Sequence, residues 1–316
     1  SSRRRHTRLL TVTGVQTCAL PIYQISDRIT VIRDGEFIKT LNAKDTNIDE
    51  IISLMVGRHV DHNQRPTPRK LSGKTILKVE NFSTKTLLKD VSFELKEGEI
   101  LGFAGLMGSG RTELARALIA ADPKTSGKVI FKDKEVNIES PADAVDAGIG
   151  YLSEDRKKYG LLLIQDVTFN IAVASLRKFT NKFGFYKKSP AVGIAKEGIK
   201  TLGIKTPSER QFLKNLSGGN QQKVVISKWL ARDCEVLIFD EPTRGIDVGA
   251  KDEIYKLLTR LASEGKSIIM ISSELPEVLR LSDRIAVMCE GRLTGIVENK
   301  DADQNSIMQL ATKFRD

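Results

Sequence analysis

From about residue 73 onward, short apolar runs alternate along the chain with stretches of helical periodicity. Apolar runs bounded by turn residues indicate buried strands, whereas apolar residues three and four positions apart indicate amphipathic helices. The runs predict strands at 75–80, 91–95, 99–104, 128–131, 148–152, 236–239, 267–271 and 285–289. The periodic stretches predict helices at 110–121, 220–231, 250–263 and 274–279.

Alternating strands and helices predict an α/β fold with a mainly parallel sheet, because a helix brings the chain back to begin each new parallel strand. The first predicted strands follow one another without helices, so we expect an antiparallel β subdomain there. Residues 155–215 have helical patterns and few strand signals, which predicts an inserted helical subdomain.

An internal repeat organises the chain. Residues 26–31, SDRITV, match residues 282–287, SDRIAV, and the offset of 256 positions holds without a gap up to residue 54. Ten of these 29 aligned positions are identical. The predicted domains are a C-terminal remnant of a first copy, a polar linker with two prolines and a complete second copy, at residues 23–60, 61–72 and 73–316.

The first 22 residues do not resemble the rest of the chain. They contain four arginines and no acidic residue, with no useful period and no signal-peptide pattern. We interpret residues 1–22 as a non-native scar of cloning or gene assembly, similar to translated sequencing-adapter sequence. A genuine disordered basic arm is the alternative.

Composition narrows the class of protein further. The chain has 316 residues, a net charge of +10, 40% hydrophobic residues and three widely separated cysteines. This excludes collagen-like and disulfide-scaffold chains and favours a reducing compartment. No apolar run approaches the roughly 18 residues of a membrane span. We find no block of Lys and Arg among interleaved aromatics and therefore expect no nucleic-acid partner.

Residues 105–112, GLMGSGRT, follow a predicted strand and open a predicted helix. They match the phosphate-binding loop pattern with one substitution, since Arg111 stands where lysine is usual. Thr112 is expected to offer its hydroxyl to Mg²⁺. The small residues that let backbone N–H groups face phosphate are Gly105, Gly108, Ser109 and Gly110.

Two further motifs carry candidate chemistry. The apolar strand 236–239 ends in Asp240, which could hold Mg²⁺ through water, and Glu241, which could polarise an attacking water. A second anion site is predicted at a helix start formed by Ser217, Gly218 and Gly219. Each motif alone also fits a glycine turn, solvated acids or a capped helix, but their order and spacing together favour a nucleotide site.

These motifs resemble those of ATP-binding cassette (ABC) ATPases. The finer resemblance is to the second cassette of the tandem-cassette ATPases that power bacterial import of ribose, galactose and xylose, with the chain truncated at its N-terminus. It is carried by LSGGNQQK at 216–223, DEPTRGIDVGAK at 240–251, SEDRK at 153–157, ISSEL at 271–275 and MVGR at 55–58. The resemblance implies a P-loop NTPase core with ATP and Mg²⁺ as cofactors.

The same resemblance implies a degenerate nucleotide site in this cassette. Glu154 takes the place of the usual glutamine, Ser273 that of the histidine that contacts the γ-phosphate, and Asp247 lies in the loop that crosses between cassettes. No aromatic is present at 84–86 to stack on adenine, and we expect the nearby Phe82 to pack in the core. In the family, cassettes pair head to tail, so the intact signature at 217–219 would complete the site of the other copy.

By this resemblance the chain is the ATPase subunit of a monosaccharide importer, with ribose as the first expectation. Its expected partners are membrane permease subunits, docked at the helical subdomain, a second cassette and, indirectly, a periplasmic sugar-binding protein. Its expected location is the cytoplasmic face of the bacterial inner membrane. The alternatives are a nucleotide-binding pseudoenzyme and a non-transport ABC ATPase.

Overall fold

The computed structural model describes residues 25–33, 36–47, 50–51, 54, 66, 69 and 71–314, except for the side chain of Val248. The predicted scar, most of the linker and the MVGR motif lie outside the described residues. The chain divides into two compact units, one made of Ser1–Asp61 with Gly245–Glu253 and the other of His62–Arg244 with Ile254–Asp316.

The second unit is built on a six-stranded sheet, in which five parallel strands are followed by one antiparallel edge strand. In spatial order the strands are β12 (Arg292–Glu298), β11 (Arg284–Cys289), β5 (Ile100–Gly105), β10 (Ser267–Ile271), β9 (Val236–Asp240) and β8 (Ile149–Leu152). The three innermost strands are buried almost throughout. This burial explains the continuous apolar runs, because a parallel sheet is covered on both faces.

A separate four-stranded antiparallel sheet lies in the same unit. Its order is β4 (Val91–Lys96), β3 (Thr75–Thr84), β6 (Lys124–Phe131) and β7 (Lys134–Glu135). Phe93 of β4 meets Phe103 of β5 edge to face, with ring centroids 5.2 Å apart, so the two sheets share a hydrophobic core. The predicted mainly parallel sheet and antiparallel subdomain are both confirmed.

All eight strands predicted from residue 73 onward are present, but two strands of that region were missed. Strand β12 lies at the sheet edge and is mostly half-buried, so it lacks a continuous apolar run. Strand β7 has only two residues. The helices are α1 (Arg111–Leu118), α2 (Pro141–Asp146), α3 (Val167–Ala172), α4 (Lys188–Leu202), α5 (Gly218–Arg232), α6 (Val248–Ser263), α7 (Leu275–Leu281) and α8 (Gln304–Ala311).

The predicted helical insertion contains helices and, in its described residues, no strand beyond two isolated bridges. A π-helical turn at Arg156–Gly160 is followed by α3, a 3₁₀ segment at Val173–Phe179 and α4. These helices pack against one another and against α5, the helix that opens at the predicted signature. No described helix is long and apolar enough to cross a bilayer.

The first unit contains a hairpin of β1 (Arg28–Arg33) and β2 (Glu36–Asn42), followed by a 3₁₀ turn at Ala43–Asp45. Its apolar side chains form a small cluster of Ile29, Val31, Leu41, Ala43 and Ile51. Adding 256 to each boundary gives β11, β12 and the 3₁₀ turn at Asn299–Asp301. The repeat found in the sequence is therefore also a repeat of secondary structure.

Candidate nucleotide site

The loop 105–112 adopts a conformation that depends on its glycines. Gly105, Gly108 and Gly110 have φ values of +152°, +78° and +104°, which L side chains rarely adopt. A Cβ at Gly105 would collide with the carbonyl oxygen of Met288. The loop is held by hydrogen bonds from the Ser109 N–H to the Leu106 carbonyl, 3.0 Å, and from the Gly291 N–H to the Ser109 carbonyl, 2.9 Å.

Helix α1 begins directly after this loop. Gly110 is its N-cap and Arg111 its first residue, so the N–H groups of the first turn have no acceptor within the helix. The Ser109 hydroxyl is buried without a hydrogen-bond partner. A phosphate ligand fits this site for three reasons: the glycines allow the loop to curve, the first N–H groups of the helix are free, and the buried Ser109 hydroxyl lacks a partner.

The predicted Mg²⁺ residues lie together. The Thr112 hydroxyl donates to Oδ1 of Asp240 over 3.1 Å, and the Tyr151 hydroxyl donates to Oδ2 of the same carboxylate over 2.9 Å. Asp240 is 1% exposed, and its burial raises the pKa of the carboxyl above its ordinary value. Tyr151 was not predicted as a site residue, because a tyrosine inside an apolar strand carries no motif.

Arg111 is oriented away from solvent. Its guanidinium Nη1 donates to the Ser272 carbonyl over 2.5 Å, and the residue is 8% exposed. Burial lowers the pKa of Arg111, while the nearby charges of Glu241 and Asp240 oppose that shift. The Arg111 guanidinium therefore already has a backbone carbonyl as its partner and lies close to Asp240 and Glu241.

The structure brings Glu241 and Ser273 together. The Ser273 hydroxyl donates to Oε2 of Glu241 over 3.1 Å, and the Glu241 N–H donates to the Ile271 carbonyl over 2.9 Å. Glu241 has φ +50°, an uncommon backbone conformation that directs the carboxylate at the strand end. Burial raises the pKa of the Glu241 carboxyl.

The signature opens helix α5. Ser217 is the exposed N-cap, and Gly218 and Gly219 are the first helical residues. The Ser217 hydroxyl accepts a hydrogen bond from the Asn220 amide over 2.8 Å. Across the described residues, no hydrogen bond joins 217–219 to the loop 105–112. The signature and the phosphate loop are thus separate features of this chain.

The family model for ABC transporters matches residues 88–244, which span the phosphate loop, the signature and the acidic strand end. This chain carries an ABC transporter ATPase domain. Its sequence is 54% identical over 290 residues to the putative ribose/galactose/methyl galactoside import ATP-binding protein 2 of Burkholderia cenocepacia, covering 92% of this chain and 57% of the relative. It is 50% identical over 293 residues to the ribose import ATP-binding protein RbsA of Clostridium tetani, covering 93% and 58%.

The chain thus spans a little over half the length of these curated relatives. Among solved structures, it is similar to MJ1267, an ATP-binding cassette of an ABC transporter, with a TM-score of 0.65, 20% identity and 75% of this chain and 98% of that chain covered. It is also similar to cbiO1 of Clostridium perfringens, with a TM-score of 0.62, 24% identity and coverage of 77% and 96%. These structural likenesses establish the fold.

Within the ABC ATPase domain, Glu154 forms an ion pair with Arg244, and Nη1 of Arg156 donates to the Arg244 carbonyl over 2.8 Å. The loop after β8 is thereby tied to the loop after β9. Glu154 also lines a cavity of about 330 Å³ whose wall includes Thr112 and Tyr151. Arg244 was not singled out from the sequence, where it was only one residue of the matching motif.

Glu277 was also missed, although it joins two loops and helix α6. This buried carboxylate on α7 accepts hydrogen bonds from the hydroxyls of Thr243, 2.5 Å, Tyr255, 2.5 Å, and Ser272, 2.8 Å. Ser272 is the residue whose carbonyl holds Arg111. Glu277 therefore positions the segment that supplies Ser273, and only the tertiary structure reveals this role.

Two other predicted features can be placed. Asp247, in the first unit, accepts a hydrogen bond from the Ala250 N–H on Oδ1 over 2.9 Å and so caps the start of α6. Phe82 is 1% exposed, which confirms the prediction that it packs in the core. The hydroxyl of Thr84, in the stretch 84–86 that lacks an aromatic, accepts the N–H groups of Leu87 and Leu88 and so shapes the loop after β3.

Proposed function

We propose that this chain is part of the ATP-binding subunit of a bacterial monosaccharide importer, in which ATP binding and hydrolysis drive permease opening. One observation carries the proposal. The phosphate loop, the Thr112–Asp240 pair and the Glu241–Ser273 pair all lie at the carboxyl ends of the parallel strands. The names of the sugar-import relatives support the substrate class, with ribose as the first candidate.

Mg²⁺–ATP fits the residues present. The loop 105–112 would hold the phosphates with backbone N–H groups, and Thr112 and Asp240 would hold the metal ion. Mg²⁺ would neutralise part of the negative charge on the phosphates. Glu241, with its carboxylate at the strand end, would orient the attacking water.

We also propose that this site is the weaker of two. Arg111 is already held by the Ser272 carbonyl, and Ser273 donates to Glu241, so both side chains have partners within the protein. The signature at 217–219 would complete the site of another cassette. The matching hairpins at residues 28–42 and 284–298 support a tandem copy of this domain.

The proposed partners are permease subunits, a second cassette and, indirectly, a periplasmic sugar-binding protein. Docking of the permease is assigned to the helical region 155–215. The proposed location is peripheral, at the cytoplasmic face of the inner membrane. No nucleic-acid partner is proposed.

The direct test is Mg²⁺-dependent binding of a fluorescent ATP analogue to this chain. We expect Thr112→Ala to weaken binding roughly tenfold, or about 1.4 kcal/mol, because it removes a proposed metal ligand. Thr206→Ala is the matched control, since its hydroxyl bonds only the nearby Ser208 carbonyl over 2.9 Å. Binding that ignores Mg²⁺ and Thr112→Ala would contradict the assigned site.

The asymmetry is tested in the assembled transporter by comparing Ser217→Arg with Arg111→Ala. Loss of the signature should lower sugar-stimulated hydrolysis by roughly 10²–10³, because donors to transferring phosphate are worth that much. Arg111→Ala should cost far less. If Arg111→Ala is the more damaging, the assignment of one strong and one weak site is wrong.

The contacts of Arg111 also favour a second candidate, a nucleotide-binding pseudoenzyme. In that case the chain binds ATP without turnover in the assembled protein. Phosphate release by the assembled protein separates the two candidates, since only the transporter ATPase turns ATP over, and that release should fall with Ser217→Arg because the signature completes the stronger site.

A further inference from the structure

The helical region contains a basic and aromatic segment that the nucleotide site does not use. Residues 177–188, RKFTNKFGFYKK, hold five Lys or Arg residues, and no acidic residue occurs between 167 and 196. A basic block therefore does lie among aromatics here, contrary to the expectation from the sequence. Arg177 and Lys178 precede the aromatics and Lys187 and Lys188 follow them.

The centre of this segment is an ordered turn. The side-chain oxygen of Asn181 accepts the N–H groups of Phe183 and Phe185, each over 2.9 Å, and the Asn181 N–H donates to the Phe185 carbonyl over 3.0 Å. Gly184 has φ +80°, which suits the turn. Thr180 and Tyr186 form an antiparallel bridge at its base.

The turn stands on a buried base. Phe179 is 2% exposed and packs with Ala172 and Ala191, and its carbonyl accepts the Lys187 N–H over 2.6 Å. Phe183 and Phe185 are 73% and 71% exposed. Since Phe179 already supplies the packing that anchors the segment, the two exposed rings are not needed to hold it in place.

The cations flank the exposed rings in sequence and are exposed themselves. Lys182 lies over the Phe183 ring, 5.1 Å from its centroid. Arg177 is 95% exposed and makes one long ion pair, 3.9 Å, with Asp146, while Nζ of Lys178 donates to the Ala231 carbonyl over 3.5 Å. The segment therefore presents net positive charge around a protruding apolar tip.

We propose that residues 177–188 form a membrane-contact loop that inserts Phe183 and Phe185 among the headgroups of anionic phospholipids. Interfacial insertion combines exposed aromatic rings with flanking Lys and Arg that attract anionic lipid. A single-stranded nucleic acid would instead require aromatics arranged along a groove. The inference agrees with the proposed location of the protein at a membrane, but it rests on the loop itself.

The test is flotation of the full chain with vesicles of phosphatidylglycerol and phosphatidylethanolamine, compared with vesicles of phosphatidylcholine. We expect binding to the anionic vesicles that falls as salt increases. Phe183→Ser with Phe185→Ser should weaken it at least tenfold. Phe212→Ser is the matched control, since Phe212 is 49% exposed and also lies beneath a lysine, with Lys214 Nζ 5.9 Å from its ring centroid.

A charge control separates the loop from the general basicity of the chain. Changing Lys182, Lys187 and Lys188 to glutamine should weaken binding several-fold more than the same change at Lys200, Lys205 and Lys300, which are exposed elsewhere. Equal loss in both triple variants, or unchanged binding without the two phenylalanines, overturns the proposal, as does absence of binding to anionic vesicles.

Insertion also has a spectroscopic signature. Trp229 is the only tryptophan, so Phe185→Trp adds a single reporter at the tip, with the unmodified chain as the blank. Its emission should shift to the blue on addition of anionic vesicles. No shift means that the ring stays in water and overturns the proposal. These assays need neither nucleotide nor permease. A negative result would therefore overturn the membrane-contact loop without bearing on the ATP-binding site.

Discussion

The two hairpins of the repeat have the same backbone and different surroundings. In β1–β2, Arg28 pairs with Asn42 and the register shifts after Val31. In β11–β12, Arg284 pairs with Glu298 and the register shifts after Val287. Pairing, bulge position and the following 3₁₀ turn all correspond at the offset of 256 residues.

The two hairpins differ in how deeply their side chains are buried. Ile32 is 56% exposed, whereas Met288, its counterpart, is fully buried. Strand β11 lies between β12 and β5, so both its edges are paired, while β1 is paired only with β2 among the described strands. Local sequence is therefore enough to specify the hairpin and its bulge, but the neighbouring strand determines which side chains form a core.

The largest expected difference in stability between the two hairpins comes from placing a carboxylate at Met288 or at its counterpart Ile32. Met288→Asp should lower the free energy of unfolding by more than about 4 kcal/mol or prevent folding, because it buries a charge without a partner. Ile32→Asp should cost less than about 1 kcal/mol, since that side chain is already in water. Urea denaturation followed by Trp229 fluorescence measures the second unit, and amide hydrogen exchange of peptides covering 28–42 measures the first.

Met288→Leu is the control for that comparison, because a volume-conserving apolar change should cost less than about 1.5 kcal/mol. A similar loss from the aspartates at both positions would break the distinction between the hairpins.

The next effect concerns the arginine that both copies share. In the second copy, Arg284 Nε donates to the fully buried Glu99 over 2.6 Å, whereas Arg28 is exposed. Arg284→Ala should cost about 3–5 kcal/mol, because it leaves a buried carboxylate unpaired. Arg28→Ala should change stability by less than about 0.5 kcal/mol.

A double-mutant cycle with Glu99→Gln sharpens this prediction. If the ion pair is the cause, Arg284→Ala should cost clearly less in the Glu99→Gln background than in the parent. An unchanged cost would assign the loss to packing of the arginine side chain instead.

The smallest expected difference in stability is at Thr30 and Ala286, which occupy equivalent positions of the repeat. The hydroxyls of Thr30 and Thr40 are 2.9 Å apart on the exposed side of the first hairpin, while Ala286 is fully buried. Ala286→Thr should cost about 1–3 kcal/mol from overpacking and a buried hydroxyl. Thr30→Ala should cost about 0.2–1 kcal/mol, as expected for one cross-strand pair.

Amide hydrogen exchange of peptides covering 28–42 and 284–298 reports the two substitutions separately. Faster exchange should be confined to the substituted hairpin and should be greater for Ala286→Thr. The reverse order would show that the first hairpin is the more tightly packed of the two.

Much of the site could be predicted because its chemistry follows contiguous motifs. The loop 105–112, the acids Asp240 and Glu241 and the partner Ser273 all lie where strand ends of a parallel sheet converge. The contacts of Arg111 could not be predicted, because the acceptor is a backbone carbonyl, which no residue identity encodes.

The alternation of strands and helices, the internal repeat and the residue types of the phosphate loop can be read from the chain alone, since they depend on local periodicity and backbone conformation. The support of Asp240 by Tyr151 and the three hydroxyl groups that donate to Glu277 become visible only in the folded chain. Hydrogen bonds and burial of this kind depend on which distant elements become neighbours. The same reason makes Met288 part of a core and leaves Ile32 in water.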